Sequence, residues 1–184
     1  KRKSRLDTDT VETEFRAEDY VVHEDVYAII TKDGWIKRIR QNNEVAGTRL
    51  REGDSIFAAL AVNTKESVIL FTSRGNIFSL SANDFPSSSG YGEPIQKSLR
   101  FGDGERVIAC FSSSIVKDGS KLVLCSKEGI GYLLSVNELA TLKRSGRRVM
   151  KLRGSDELSA ASLVPFDAKE VCLVTKAGYG LRIS

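Results

Sequence analysis

One short pattern recurs four times along the chain: an apolar run, a turn that ends in Gly, and a second apolar run. Runs rich in β-branched and aromatic residues favour the pleated sheet, and Gly readily adopts the positive φ that a tight hairpin turn requires. The sequence therefore predicts four β-hairpins. Their turn glycines are Gly34, Gly75, Gly129 and Gly178.

The segments between the hairpins repeat as well. Gly53, Gly104 and Ser155 each stand in a polar turn that precedes another apolar run, at equal spacings of 51 residues. A unit of about four strands in some fifty residues is typical of a propeller blade. A single unit of this kind buries too little surface, so the array of units is the folding unit. We predict an all-β fold, a β-pinwheel or propeller-like array of about four-stranded blades that is short or open.

The domain organisation follows from where the pattern starts. Residues 1–19 show little apolar patterning, and we expect them to form a linker from a preceding domain. Residues 20–184 are predicted to hold three to four repeats of the array. Only residues 136–142 have a pattern that permits a helical turn or two.

The residue types that most often carry catalysis or bind metals are scarce. His23 is the only histidine, and its position among acidic residues at the fringe of the first hairpin indicates a surface residue. The cysteines share no CxxC spacing, and each lies in an apolar run, which predicts reduced core thiols. We therefore predict no catalytic residue, no metal site and no cofactor-binding residue. The three cysteines are Cys110, Cys125 and Cys172.

Close glycines and paired acids also have structural explanations. The glycine pairs within 102–104 and 129–131 do not connect a strand to a helix, as a phosphate-binding loop does, so we predict turns. Asp156 and Glu157 stand at an aligned turn of the repeat, which favours a structural role over acid–base catalysis. No apolar run approaches the ~20 residues that span a bilayer, and the basic start lacks the apolar stretch of a signal peptide. We expect an intracellular protein with no membrane partner.

Positive charge is concentrated in one segment. The net charge is only +4, from 28 basic and 24 acidic residues, but residues 143–153 hold six basic and no acidic residues. Clustered Lys and Arg neutralise phosphates and release counterions, and this favours a nucleic-acid partner with salt-dependent binding. The alternative is that these charges solvate strand edges. Lys127 and Lys176, like Arg74, stand in hairpin turns, where they extend a basic surface or simply cap turns.

A family resemblance rests on two repeated features. One is the strand-T/S-x-x-Gly-strand hairpin, as in residues 30–38 and 70–78, and the other is the turn at 52–54 and at 102–105. Over residues 20–184 the chain resembles the C-terminal β-pinwheel domain of the A-type subunit of bacterial type IIA topoisomerases, DNA gyrase and topoisomerase IV. The resemblance implies a non-catalytic disc whose basic outer rim binds and bends duplex DNA. The rim residues would be Lys37, Arg38, Arg40, Arg49, Arg51, Lys143, Arg144, Arg147, Arg148, Lys151 and Arg153, extended by Arg74.

The resemblance also implies a place in a larger machine. The domain would present a DNA segment to the cleavage core and tune relaxation, decatenation or supercoiling. Its protein partners would be the catalytic domain of the same polypeptide and the B-type ATPase subunit of the holoenzyme. Both ATP and Mg²⁺ would act elsewhere in that enzyme. We expect the protein in the bacterial cytoplasm, associated with the nucleoid.

Two departures from the family pattern refine this hypothesis. Gyrase subunits carry a Gln-basic-basic-Gly-Gly-basic-Gly box after the first hairpin, whereas residues 40–49 here read RQNNEVAGTR. The missing box favours a topoisomerase IV-like domain. Four hairpins with three intervening strands also fall short of five or six blades. The rival hypothesis is a protein-interaction β-propeller whose basic rim serves solubility.

Overall fold

The computed structural model describes residues 22–42, 44–115, 120–139, 142–165 and 167–183; the predicted linker, 1–19, lies outside them. These residues form strands that pair antiparallel in four sheets, which confirms the all-β prediction. The strands are β1 (Asp25–Thr31), β2 (Trp35–Arg40), β3 (Ile56–Asn63), β4 (Ser67–Thr72), β5 (Asn76–Ser81), β6 (Glu93–Pro94), β7 (Val107–Ser112), β8 (Lys121–Ser126), β9 (Gly131–Ser135), β10 (Arg147–Arg148), β11 (Leu158–Val164), β12 (Val171–Val174) and β13 (Gly180–Ile183).

All four predicted hairpins are present, as β1–β2, β4–β5, β8–β9 and β12–β13. The turn glycines have φ values between +72° and +87°, a region that other residues rarely adopt. The Thr or Ser three residues before the Gly explains the sequence motif. In the first hairpin the hydroxyl of Thr31 accepts a hydrogen bond from the amide of Trp35 at 3.0 Å. Ser126 and Thr175 repeat this bond in the third and fourth hairpins.

The sheets exchange strands, a feature that the sequence does not predict. The first sheet has the order β3-β1-β2-β6 and the second has the order β7-β4-β5-β10. In chain order β6 follows the hairpin of the second sheet, and β10 follows the hairpin of the third. Each of these two-residue strands therefore reaches back to complete the preceding sheet. The third sheet is β11-β8-β9, and the fourth is β12-β13.

The contacts between sheets distinguish an inner from an outer edge. β7 of the second sheet contacts both β3 of the first and β11 of the third. These strands lie at one edge of their sheets, so they form the inner side of the array. β6 and β10 lie at the opposite edge and form its outer side.

The core lies between neighbouring sheets. Val68 and Leu70 of β4 are buried against the first sheet, and the alternate residues Ile69 and Phe71 are buried against the third. A strand whose two faces are both covered by other sheets cannot be stable in an isolated blade. This packing supports the prediction that the array is the folding unit.

The third and fourth sheets are more exposed in the part of the chain that the structure describes. Cys172 of β12 is exposed, so the prediction of a core thiol there is wrong, because no described strand packs over the two-stranded fourth sheet at this residue. Cys110 and Cys125 are half-buried free thiols. The helical turn predicted within 136–142 is a 3-10 turn at Val136–Leu139.

Candidate nucleic-acid interface

The basic segment at 143–153 forms the outer edge of the second sheet. Arg147 and Arg148 pair with Ile77 and Asn76 of β5, and the amide of Val149 donates to the carbonyl of Gly75 at 2.9 Å. The segment therefore lies on a rigid sheet rather than in a free loop. Its apolar residues anchor it: Met150 is buried, and Val149 is half-buried.

A glycine makes this close approach possible. Gly146 has φ +71°, and a Cβ there would lie 2.5 Å from ring carbons of Phe78 and 2.9 Å from the carbonyl oxygen of Ile77. Gly92 has the same role before β6, since its φ is +85° and a Cβ would lie 2.9 Å from the Cβ of Lys37. Sequence reasoning missed both glycines. Their common spacing of 54 residues, which matches that of Gly75 and Gly129, was the available signal.

Four cations of this segment point into solvent. Their side chains are exposed and take part in no ion pair among the described residues. A cation without a carboxylate partner keeps its donors available for phosphate oxygens. These four residues are Lys143, Arg148, Lys151 and Arg153.

Arg144 and Arg147 contact other parts of the protein. Arg144 donates from Nε to the carbonyl of Ser98 at 3.1 Å, and its Nη1 lies 3.4 Å from Oδ2 of Asp84. Arg147 donates from Nη2 to the carbonyl of Glu138 at 2.9 Å and lies 3.2 Å from its carboxylate. Exposed ion pairs of this kind contribute about 0–1 kcal/mol, so they can exchange for phosphate contacts.

The three arginines near the first sheet differ in exposure: Arg38 is half-buried, whereas Arg40 and Arg49 are exposed. Arg38 is half-buried and donates from Nη1 to the carbonyl and side-chain oxygens of Asn83, both at 2.7 Å. Arg40 is exposed and lies 3.8 Å from the carboxylate of Glu24. Arg49 is exposed in the loop after β2 and takes part in no ion pair among the described residues.

Arg51 and Arg74 are held by contacts other than ion pairs in the described ranges. Arg51 is exposed, and its guanidinium carbon lies 4.8 Å from the ring centroid of Trp35, a cation–π geometry that orients the group and leaves its donors in solvent. Arg74 donates from Nη2 to the carbonyl of Asp103 and lies against Gly102. Trp35 is a contributor that sequence reasoning missed, because its contact with Arg51, in the turn before β3, has no local signal.

Lys37 does not lie on the rim, and the prediction for this residue is wrong. Its side chain is 1% exposed, because the segment that leads to β6 covers it. Its Nζ donates to the carbonyl of Arg49 at 2.5 Å and to the carbonyl of Gly90 at 2.8 Å. Burial lowers the pKa of the Lys37 ammonium.

The acidic residues of the aligned turns are structural. Oδ1 of Asp54 accepts a hydrogen bond from the amide of Asp33 in the turn of the first hairpin. Oδ1 of Asp156 likewise accepts a hydrogen bond from the amide of Glu128 in the turn of the third hairpin. Burial alone would raise the pKa of Asp156, but hydrogen bonds from Ser126 and three backbone amides hold that pKa below its ordinary value.

Glu157 joins the second and third sheets. Its Oε2 lies 2.7 Å from Nζ of Lys127 and 2.6 Å from Nη2 of Arg106, and these two partners lower the pKa of Glu157. Lys127 is thus an ion-pair partner as well as a turn residue. Both side chains therefore have structural contacts: Oδ1 of Asp156 accepts hydrogen bonds from the amides of Glu128 and Glu157, and Glu157 forms two ion pairs.

The residue types that ligate metals are scattered over the part of the chain that the structure describes. His23 is exposed, as predicted, and its Nδ1 lies 3.2 Å from Nδ2 of Asn63. No three His, Cys, Asp or Glu side chains among the described residues form a group that could hold a metal ion. None of the helices in these ranges is both long enough and apolar enough to cross a membrane.

Comparison with known proteins supplies the family. The family model described as "DNA gyrase C-terminal domain, beta-propeller" matches residues 66–114, 120–165 and 169–184. The DNA gyrase A-type subunit of Aminobacterium colombiense is 30% identical over 176 residues, which is 90% of this chain and 21% of that protein. The DNA topoisomerase 4 A-type subunit of Caulobacter vibrioides is 27% identical, over 77% of this chain and 18% of that protein. The chain thus spans about a fifth of the length of these relatives.

Solved structures share the fold. The C-terminal domain of DNA topoisomerase IV superposes with a TM-score of 0.75 at 23% identity, covering 88% of this chain and 52% of that one. The E. coli ParC C-terminal domain gives a TM-score of 0.73 at 24% identity, over 87% of this chain and 64% of that one. The propeller-like array described above is thus a known architecture. The family model covers more than half of the chain, so the chain belongs to the family of DNA gyrase C-terminal β-propeller domains.

Proposed function

We propose that this domain binds duplex DNA along its outer edge, through the phosphate backbone. The single observation that carries the proposal is the set of four exposed cations at 143–153, without ion-pair partners among the described residues, on a segment fixed to β5. A fixed backbone holds the charges in place before binding, so less conformational entropy is lost on forming the complex. Lys and Arg contacts to phosphates bring affinity without base recognition, so we expect little sequence preference.

The edge of the first sheet extends this surface. Arg144, before β10, donates to the carbonyl of Ser98, which lies just after the segment that carries β6. The outer edges of the first and second sheets therefore adjoin. Arg49 and Arg51 add cations beside the first sheet. A basic edge that continues over two neighbouring sheets favours a curved DNA path, and bending a site of 20–30 base pairs costs about 1–6 kcal/mol, which phosphate contacts can offset.

The role within a whole enzyme is also a proposal. In a type IIA topoisomerase the domain would hold a DNA segment for the cleavage core, beside the catalytic domain and the B-type ATPase subunit. Both Mg²⁺ and ATP would act in those other parts. The absence of the gyrase box from residues 40–49 supports a topoisomerase IV-like role in relaxation and decatenation over gyrase-like wrapping.

The test is a titration of a fluorescent duplex at several salt concentrations. The variant carries Lys143→Ala, Arg148→Ala, Lys151→Ala and Arg153→Ala, and we expect it to lose affinity and about 4 units of the log–log salt slope, close to one per lost phosphate contact. A matched control removes four exposed lysines elsewhere: Lys32, Lys65, Lys121 and Lys169.

The control has the same net charge as the variant, so it separates a located surface from general charge attraction. If the two proteins lose affinity equally, the edge is not the binding surface. If the wild-type chain fails to bind at low salt, duplex DNA is not the partner of this domain.

One observation favours the rival function, a protein-interaction propeller. Several large apolar side chains of the third and fourth sheets are exposed, among them Tyr132, Leu133 and Leu181. Exposed apolar surface of this kind binds other proteins. Such binding would change little with salt, whereas phosphate binding weakens steeply, so the same titration series separates the two functions.

A further inference from the structure

Lys37 is the most unusual charged residue of the described structure. It is a lysine on a core strand with 1% exposure, and two of its three ammonium donors go to backbone carbonyls. Burying an ammonium is costly unless hydrogen bonds compensate for the lost water. A residue of this kind needs an explanation that apolar packing does not supply.

The equivalent position in the second sheet is Phe78, which shows what the fold itself requires there. Both residues stand three positions after the turn glycine, and both lie beneath the positive-φ glycine of the outer segment, Gly92 or Gly146. Phe78 packs on Phe101, with ring centroids 5.2 Å apart. An apolar side chain is therefore sufficient at this place, and the ammonium of Lys37 has an additional role.

The two carbonyls identify that role. Arg49 lies in the loop that follows β2, and Gly90 lies in the segment that leads to β6. Lys37 thus joins two segments that share no strand pairing in the described structure. The loop and the segment also meet around a shallow pocket lined by Ile39, Thr48 and Ser89.

We propose that Lys37 is a positioning residue for DNA binding, which fixes the loop backbone so that Arg49 and Arg51 are held toward the phosphates. The inference rests on the proposed function. The ammonium binds the backbone of Arg49 itself, so the Arg49 side chain projects into solvent from a fixed point. Arg51 is two residues further on, where Trp35 orients it.

The experiment is a double-mutant cycle between Lys37→Met and the pair Arg49→Ala with Arg51→Ala, read by duplex titration over salt. Each of the two changes alone should lower the salt slope by about 2, one for each arginine displaced. The combination should cause no further loss. Lys32→Met is the matched control, because it makes the same substitution at an exposed lysine in the turn of the first hairpin, and it should leave the slope unchanged.

A second readout needs no DNA. Trp35 is the only tryptophan of the chain, and Arg51 covers its ring, so its fluorescence reports the position of the loop. Acrylamide should quench Trp35 more strongly in Lys37→Met than in the wild type, and Lys37→Gln, which keeps a side-chain donor, should restore part of the protection.

The outcomes are distinct. Wild-type DNA binding by Lys37→Met, or losses that simply add in the cycle, would overturn the positioning role while the proposed function stands. If Lys37→Met and Lys37→Gln both fail to fold, Lys37 acts on stability and the proposal is wrong. A wild-type chain that binds no DNA rejects the proposed function, whatever the quenching data show.

Discussion

Replacement of Gly146 by Ala should detach the outer strand of the second sheet. Gly146 has φ +71°, and a new Cβ would lie 2.5 Å from the Phe78 ring and 2.9 Å from the carbonyl oxygen of Ile77. A left-handed backbone conformation costs a non-glycine residue about 1–2 kcal/mol. The forced movement of packed neighbours adds about 1–3 kcal/mol. We therefore expect Gly146→Ala to lower the free energy of unfolding by about 2–5 kcal/mol.

Gly104 provides a matched control for the backbone contribution. Its φ is +70°, but no atom lies within 4 Å of the position that a Cβ would take. Gly104→Ala therefore carries the conformational cost alone, about 1–2 kcal/mol. The difference between the two variants, about 1–3 kcal/mol, isolates the close approach of the outer strand.

The assay is urea unfolding of both variants, followed by titration with duplex DNA. Gly146→Ala should also weaken DNA binding, since Arg147 and Arg148 follow the displaced residue, whereas Gly104→Ala should bind as the wild type does. Equal losses of stability in the two variants would refute the reasoning, because the contact with Phe78 would then carry no energetic weight.

Three further predictions follow from single side chains. Asp156→Asn should destabilise the protein at neutral pH, because the lowered pKa of Asp156 means that the folded state is stabilised by the charged carboxylate. The difference in stability from the wild type should shrink as pH falls below 3.8, the ordinary pKa. Unfolding measured at several pH values tests this, and a difference that stays constant with pH would contradict it. Cys172 is exposed, whereas burial raises the pKa of Cys110 to about 12. A thiol reagent at a pH of about 8 should therefore modify Cys172 first, as measured by peptide mapping. Faster labelling of Cys110 would contradict the structure. Thr31→Val should cost about 0.5–1.5 kcal/mol in thermal unfolding, because the amide of Trp35 loses its acceptor, and an unchanged midpoint would show that water replaces the hydroxyl.

The sequence predicts those parts of the fold that depend on local chemistry. The hairpins are predictable because a positive-φ Gly and a Thr or Ser three residues earlier define each turn within a few residues. The aligned turns are predictable for the same reason: the amides of Asp54, Glu105 and Asp156 each donate to the carbonyl three residues before, at the equal spacing of 51 seen in the sequence. Short polar sequence motifs recur along the chain because the hydrogen bonds that they form recur in each repeat of the structure.

The outer edge is not predictable in this way. β6 and β10 have two residues each, which is too short for a periodic sequence pattern to predict them. Their strand partners are also distant in sequence: Glu93 pairs with Ile36, and Arg148 pairs with Asn76. The burial of Lys37 depends on this distant pairing, because the segment before β6 is what covers it. A basic residue next to Arg38 is therefore predicted to lie on the rim from sequence alone, although the structure places it in the interior.

Strand exchange couples the proposed DNA surface to the folding of the array. The cations at 143–153 lie on the second sheet, but they follow the hairpin of the third sheet in the chain. The buried residue of that segment, Met150, shares a core with Ile77 of β5 and with Leu122 and Leu124 of β8. The basic edge of one sheet therefore depends on the packing of the next sheet. Damage to the third sheet should weaken DNA binding even though the third sheet carries none of these four cations.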